Sequence, residues 1–297
     1  MEQIKDKLSG VFAPIATPFK NDEILFDGLR ENIEKMNKTG LKGYFALGTN
    51  GEFKSLSIEE RLKVLEVVVK YRAPDKIIMA GTAEESTKVT IEITLEAAKI
   101  GADMVSLLLP HFFIKRLDDD ALADYVIAVA EVSPVPVLLY NNPSVSANLT
   151  LSYELIKRVS AHPNIVGLKD SSKGNFKEYI KAAQDQFYVL AGSANFFFDL
   201  LLAGGVGGVL SLANVFPDTC SKLFMLYKEG KIEEAKKLNE KLISLNKEVS
   251  GSYGVAGVKA AMDIVGFIGG DPRRPLKPLT DSQKENLKKK LVEKGFI

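Results

Sequence analysis

Ile165-Val166-Gly167-Leu168-Lys169-Asp170-Ser171 is an apolar run that reads as a buried strand with a lysine near its end. Seven other runs share its character: Val11 to Phe19, Gly43 to Thr49, Lys76 to Thr82, Asp103 to Pro110, Val135 to Tyr140, Phe187 to Gly192 and Gly208 to Leu212. They are close to continuously apolar, as strands of a parallel sheet covered by helices must be. Segments with helical period or helix-start signals lie between them. After the second run, Ser57-Ile58-Glu59-Glu60 has the form of a capping box. Leu62, Val64, Leu65, Val68 and Val69 then supply an apolar face until Pro74 ends it. Asn214 is a candidate cap for a helix with Pro217 in its first turn.

Eight strand-helix units within about 225 residues match the allowance of a TIM (β/α)₈ barrel, with a doubly wound open sheet as the alternative. Regular unit spacing favours closure. So does the lack of a Gly-x-Gly-x-x-Gly between a strand and the helix it opens. Gly204-Gly205-Val206-Gly207-Gly208 comes between a helix and a strand, where it reads as a tight turn. After about residue 228 the alternation stops. Helical patterns cover Lys231 to Val249, Val255 to Phe267 and Asp281 to Lys294, the last behind a capping box at Thr280-Asp281-Ser282-Gln283. Proline-rich Asp271 to Pro278 reads as an extended connector. The expected division is a catalytic barrel over 1–228 and a C-terminal helical extension over 229–297.

The 297 residues are 46% hydrophobic, enough for a large core. Lys and Arg total 39 against 38 Asp and Glu, so no charge imbalance marks a nucleic-acid or anionic-membrane surface. One cysteine, Cys220, and two histidines, His111 and His162, exclude a disulfide framework and argue against a zinc or iron site. Met1 to Lys7 lacks the apolar core of a signal peptide, and no apolar stretch approaches about 18 residues. The expected setting is the cytoplasm, and the expected ligand a small soluble molecule.

In a barrel of this kind the active site forms where the strands end. The strand ends offer Thr17, Thr49 with Asn50, Thr82, His111, Tyr140 with Asn141, Lys169, Ser193 and Ser211. The set is polar and nearly uncharged, with Lys169 its one obvious cation. A desolvated lysine loses its proton more readily and becomes a nucleophile toward a ketone. Alone, a lysine at a strand end is more often a solvated surface charge. Tyr140, one strand earlier, is a candidate proton shuttle to that amine, or a packed tyrosine with its hydroxyl at the water boundary. Gly48-Thr49-Asn50-Gly51-Glu52 offers an anion-binding nest for a carboxylate, or ordinary turn chemistry. His111 is an acid-base candidate or a polar loop residue.

Four motifs carry a family resemblance: Gly48-Thr49-Asn50-Gly51-Glu52, Tyr140-Asn141-x-Pro143, Gly167-Leu168-Lys169-Asp170-Ser171 and Leu190-Ala191-Gly192-Ser193. Their order, and the later Pro275-Leu276-x-Pro278-Leu279, resemble the dihydrodipicolinate synthase and N-acetylneuraminate lyase family over essentially the whole chain. The resemblance implies a TIM barrel with C-terminal helices, a homotetramer, and class I aldol or lyase chemistry on pyruvate-type 2-oxo acids without metal or organic cofactor. It implies that Lys169 is the Schiff-base lysine, Tyr140 the proton-transfer tyrosine, and Thr49 with Asn50 the carboxylate-binding pair. Val209 matches the position whose carbonyl faces the bound pyruvyl group. Ser171, Gly192, Ser193, Asn195, Ser211 and His111 complete the expected binding set.

Three departures narrow the subgroup. Dihydrodipicolinate synthases resemble one another in an arginine that grips the second substrate's carboxylate, where this chain has Val145. Phe112 stands where members commonly carry a tyrosine that reaches a neighbouring subunit. Gly192-Ser193-Ala194-Asn195 lacks the two acids that N-acetylneuraminate lyases carry there. Asn50-Gly51-Glu52-Phe53, His162-Pro163-Asn164-Ile165-Val166-Gly167 and Leu212-Ala213-Asn214-Val215 most resemble the 4-hydroxy-2-oxoglutarate aldolase branch, with aldolases and dehydratases of 2-oxo-3-deoxy sugar acids as neighbours. The implied partners are pyruvate and an aldehyde or 2-oxo acid.

Overall fold

The eight apolar runs become eight strands in the computed structural model, which describes residues 2–172 and 174–297. They are β1 Gly10–Pro14, β2 Gly43–Ala46, β3 Ile77–Gly81, β4 Met104–Leu108, β5 Val137–Asn141, β6 Ile165–Asp170, β7 Tyr188–Ala191 and β8 Gly207–Val209. Each pairs in parallel with its sequence neighbours, and β1 pairs with β8 to close the barrel. Closure rejects the open-sheet alternative, because no edge strand is left to carry it. The register between β5 and β6 sets Tyr140 directly beside Lys169.

A helix follows every strand: α2 Phe26–Met36, α3 Ile58–Tyr71, α4 Thr87–Ile100, α5 Asp119–Val132, α6 Tyr153–Val159, α7 Phe176–Ala182, α8 Phe197–Leu202 and α9 Pro217–Lys228. The capping box before α3 is complete, and Val64, Leu65 and Val68 bury its inner face. An additional helix, α1 Glu2–Leu8, precedes β1. Leu8 joins Phe12, Phe45, Met79, Met104 and Leu138 in the barrel interior, with Ile4 packed against them, so α1 closes the amino-terminal end. That helix escapes the sequence reading because seven mostly charged residues show no full apolar period.

Two readings around β1 and β8 need correction. The first run does not continue to Phe19: β1 stops at Pro14, and Phe19–Lys20 pairs with Glu23–Ile24 in a separate hairpin. Its turn residues Asn21 and Asp22 have φ of 52° and 67°, the conformation that suits a two-residue hairpin and that Asn and Asp tolerate. Nor does Asn214 cap α9. Its side chain donates to the carbonyls of Pro14 and Ser211 and accepts from the Ala16 amide, tying β1 to the loop after β8. Phe216 occupies the cap position, with Pro217 in the first turn as expected.

The C-terminal helices are α10 Ile232–Asn246, α11 Ser252–Ile264 and α12 Asp281–Glu293. α10 and α11 are joined through a π turn, Lys247–Gly251, where the sequence suggested a gap. The expected capping box opens α12. The connector between α11 and α12 lies on the barrel, with Arg273 donating to the carbonyls of Asp22 and Ser55 and to both carboxylate oxygens of Glu60. No helix of the described residues is long and apolar enough to cross a membrane.

Candidate active site

β6 ends on alternating side chains, which sends Lys169 into the barrel mouth and Asp170 toward the helices. Asp170 is fully buried and accepts from Asn141 Nδ2 at 2.9 Å and from the Ser172 amide and hydroxyl at 3.0 and 2.7 Å. Asn141 also donates to the Tyr179 hydroxyl at 3.1 Å, and Tyr179 donates to the Leu151 carbonyl at 2.9 Å. Strands β5 and β6 are thus pinned from behind at the level where Tyr140 and Lys169 face forward. Burial pushes the Asp170 carboxyl above its ordinary range against the pull of these hydrogen bonds.

Lys169 is 5% exposed, and its Nζ lies 3.8 Å from the centroid of the Tyr140 ring and 4.6 Å from that of Phe45. Phe45 meets Tyr140 edge to face at 6.1 Å, so two rings take the place of water on the sides of the amine that turn away from the cavity. Burial pushes the lysine's pKa down, against the opposing attraction of the Tyr140 oxygen. For Tyr140 burial acts upward, but the lysine's charge and hydrogen bonds from Thr49, Asn142 and Lys169 outweigh it and lower the phenol. Their mutual attraction brings the amine and the phenol closer in proton affinity than desolvation alone would leave them.

The phenol oxygen is held by its neighbours. Asn142 Nδ2 donates to it at 2.8 Å, and Ser144 Oγ donates to Asn142 Oδ1 at 2.6 Å, which fixes the amide's orientation. With an acceptor site of the phenol so occupied, its own proton points to Thr49 Oγ1 at 3.2 Å or to the lysine. Asn50 Nδ2 donates to Ser211 Oγ at 2.8 Å across the mouth. The Gly51 and Glu52 amides bond within the turn, to Gly48 and Thr49 carbonyls at 3.0 Å each. What the turn presents to the cavity is therefore Thr49 and Asn50.

A cavity of about 290 Å³ gathers Thr49, Asn50, Tyr140, Lys169, Ser171, Gly192, Ser193 and Ser211 from across the chain. Gly192 approaches so closely that an added Cβ would lie 1.9 Å from Ser171 Oγ. The other expected residues lie elsewhere. Thr17 donates to the Gly51 carbonyl at 2.9 Å, beneath the turn, and Thr82 pairs with Thr94 behind the barrel wall. The expectation for Val209 concerns its carbonyl; its side chain, 1% exposed, packs in the barrel interior. His111 lines an adjoining apolar cavity of about 280 Å³, with its Nδ1 3.0 Å from the Leu109 carbonyl and its amide on Glu85. Asn195 turns outward, and its Oδ1 accepts from Asn246 Nδ2 of α10 at 3.0 Å.

The sequence reading missed Asn142, Ser144 and Phe45, and it missed three residues of the C-terminal segment, Ser250, Gly254 and Val255, which roof the cavity. Asn142 stands inside a quoted motif, so its position was visible and its bond to the phenol was not. Nothing in local sequence signals that a segment after the barrel folds back over its mouth.

The lysine-tyrosine pair, the Thr49-Asn50 turn and the barrel can now be set beside known proteins. The sequence model of the dihydrodipicolinate synthetase family matches residues 7–294. The chain belongs to that family. A 4-hydroxy-tetrahydrodipicolinate synthase of Methanothrix thermoacetophila is 34% identical over 289 residues, covering 96% of each chain. A probable mitochondrial 4-hydroxy-2-oxoglutarate aldolase of Emericella nidulans is 32% identical over 273 residues, covering 90% of this chain and 88% of its own. Among solved structures, YagE, a prophage protein of the dihydrodipicolinic acid synthase family from E. coli K12 in complex with pyruvate, superposes with a TM-score of 0.91 at 26% identity, covering 97% and 99%. Membership makes the chain an enzyme of the class I aldolase and lyase type acting on small molecules. Within this family framework Val145 lines the cavity and extends into the adjoining one, and Phe112 and Phe113 lie exposed on the loop after β4.

Proposed function

We propose that the chain is a Schiff-base aldolase that cleaves or forms a 4-hydroxy-2-oxo acid such as 4-hydroxy-2-oxoglutarate or a 2-oxo-3-deoxy sugar acid. The observation that carries this reading is the Lys169 amine, 5% exposed and packed on the Tyr140 ring in a polar cavity. The neutral amine attacks C2 of the substrate, and loss of water gives an iminium. Tyr140, or a substrate carboxylate, takes the C4 hydroxyl proton while the C3–C4 bonding electrons flow into the iminium, releasing an aldehyde and leaving an enamine. Protonation at C3 and hydrolysis then free pyruvate and Lys169.

Thr49 and Asn50 receive the C1 carboxylate, and Thr49 extends the proton path from Tyr140. Ser171, Gly192, Ser193 and Ser211 surround the rest of the substrate. His111 and Asn195 act at most from a distance. The machinery needs no metal or organic cofactor. Operation as a cytoplasmic homotetramer belongs to the same reading, and the exposed pair Phe112 and Phe113, at 78% and 67%, is apolar surface that a subunit contact would cover.

The second reading, 4-hydroxy-tetrahydrodipicolinate synthase, is favoured by the name of the Methanothrix relative. Val145 in the cavity argues against the synthase reading, since a valine cannot grip the second substrate's carboxylate there, and within the first reading it means that a distal carboxylate is not held at that position. Borohydride reduction in the presence of pyruvate, followed by mass mapping, should place an adduct on Lys169 and none in Lys169→Ala. An undiminished adduct in that variant would remove the proposal. Release of pyruvate from 4-hydroxy-2-oxo acids tests the aldolase assignment. Faster condensation of pyruvate with aspartate semialdehyde would reverse the ranking, and loss of water without carbon–carbon cleavage would make the enzyme a dehydratase.

A further inference from the structure

Lys259 is buried as deeply as Lys169 and has no part in the chemistry above. Its Nζ lies 2.5 Å from Glu52 Oε1, with the two side chains 1% and 2% exposed. It donates to the Asp271 carbonyl at 2.8 Å and sits over the Phe19 ring at 4.5 Å. The other Glu52 oxygen accepts from the Arg273 amide at 2.9 Å. A buried ion pair adds little stability over an apolar pair of the same volume, whereas stranding one member is costly. Geometric definition is what such a pair supplies, and Glu52 shows what is being defined.

Glu52 closes the Thr49-Asn50 turn. Its φ of 54° and ψ of 37° are left-handed, a conformation that a residue with a Cβ holds only at a cost. Its amide donates to the Thr49 carbonyl at 3.0 Å, and its carbonyl accepts from the Ser55 amide at 2.8 Å. Lys259 comes four residues after Val255, one helical turn along α11, and Val255 lines the cavity itself. Helix α11 thus meets the site twice, once from above and once through the back of the turn.

We propose that Glu52 and Lys259 are positioning residues: their ion pair holds the turn so that Thr49 and Asn50 stay in register with Lys169, making 2-oxo-acid binding depend on the C-terminal helices. This rests on the reading that Thr49 and Asn50 receive the substrate carboxylate. The double variant Glu52→Gln/Lys259→Met removes both charges at nearly constant volume. Its pyruvate concentration for half-maximal borohydride trapping should rise on the order of tenfold, with the rate at saturating pyruvate little changed. A folded double variant with wild-type half-saturation would overturn the proposal and leave the functional reading intact. Absence of any pyruvate adduct in the wild type would remove both.

A measurement on the wild-type protein does not depend on the variant folding. Pyruvate should slow amide hydrogen exchange in Val258 to Asp271 as well as in Gly48 to Ser55, because coupling between sites is reciprocal. Protection confined to Gly48 to Ser55 would also overturn the proposal.

Discussion

Lys169 differs from an ordinary surface lysine through its setting. β6 carries it into the mouth, and the rings of Tyr140 and Phe45 take the place of water around it. Because burial lowers its pKa from the usual 10.5, the trapping rate with pyruvate should rise with pH and level off below that value. The stability consequence has a definite sign. In the window between the folded pKa and 10.5 the unfolded chain binds the extra proton, so folding becomes more favourable as pH rises through that window. Below it the charged, buried lysine is a full cost. Lys169→Met should therefore raise the thermal midpoint at pH 7 while abolishing the adduct, and a lowered midpoint would contradict this account. Tyr140→Phe keeps the ring against the amine and removes the proton relay. A loss of about 100-fold or more in carbon–carbon cleavage, with adduct still formed, is expected from steady-state and trapping assays side by side.

Among the elements, the join between α10 and α11 matters most for the site. The π turn at Lys247–Gly251 and the break at Gly254 aim Ser250 and Val255 at the cavity. Ser250 Oγ donates to Asn246 Oδ1 at 2.9 Å, and Asn246 in turn donates to Asn195, which ties the helix to the loop after β7. Gly254 has φ 56° and ψ −139°, a combination open to glycine and closed to a residue with a Cβ. Gly254→Ala should cost about 1–3 kcal/mol of stability and raise the half-saturating pyruvate concentration, read by thermal melts and trapping. Unchanged values in both would show that the break is incidental. The strand-helix alternation that precedes this join was legible because each strand is buried on both faces and each helix has its own period. The join was not, since apolar period alone does not report a π turn.

At the scale of the whole molecule, Arg273 fastens the connector between α11 and α12 to the hairpin after β1 and to α3. Glu60, at the start of α3, has its carboxyl pulled down to about 2, chiefly by the hydrogen bond from Arg273, against desolvation. A carboxylate depressed from 4.5 contributes stability that is fully present above pH 4.5 and is lost as pH falls toward 2. Arg273→Ala should therefore be less stable than wild type at pH 7 and lose less between pH 5 and 2, as denaturant titrations across that range would reveal. Equal acid sensitivity of the two proteins would remove this ion pair from the account. The sequence by itself determined the barrel, because eight doubly buried strands with helices between them have few ways to hide their apolar surface. It also put Lys169, Tyr140 and the Thr49-Asn50 turn among the strand-end residues that converge on one mouth, and the family motifs singled them out of that set. Only the tertiary structure decided that His111 and Asn195 stay outside the cavity, that Asn142 grips the phenol, and that Lys259 reaches Glu52. Those outcomes depend on contacts between residues distant in the chain, where side-chain direction and packing, rather than residue type or spacing, select the partner.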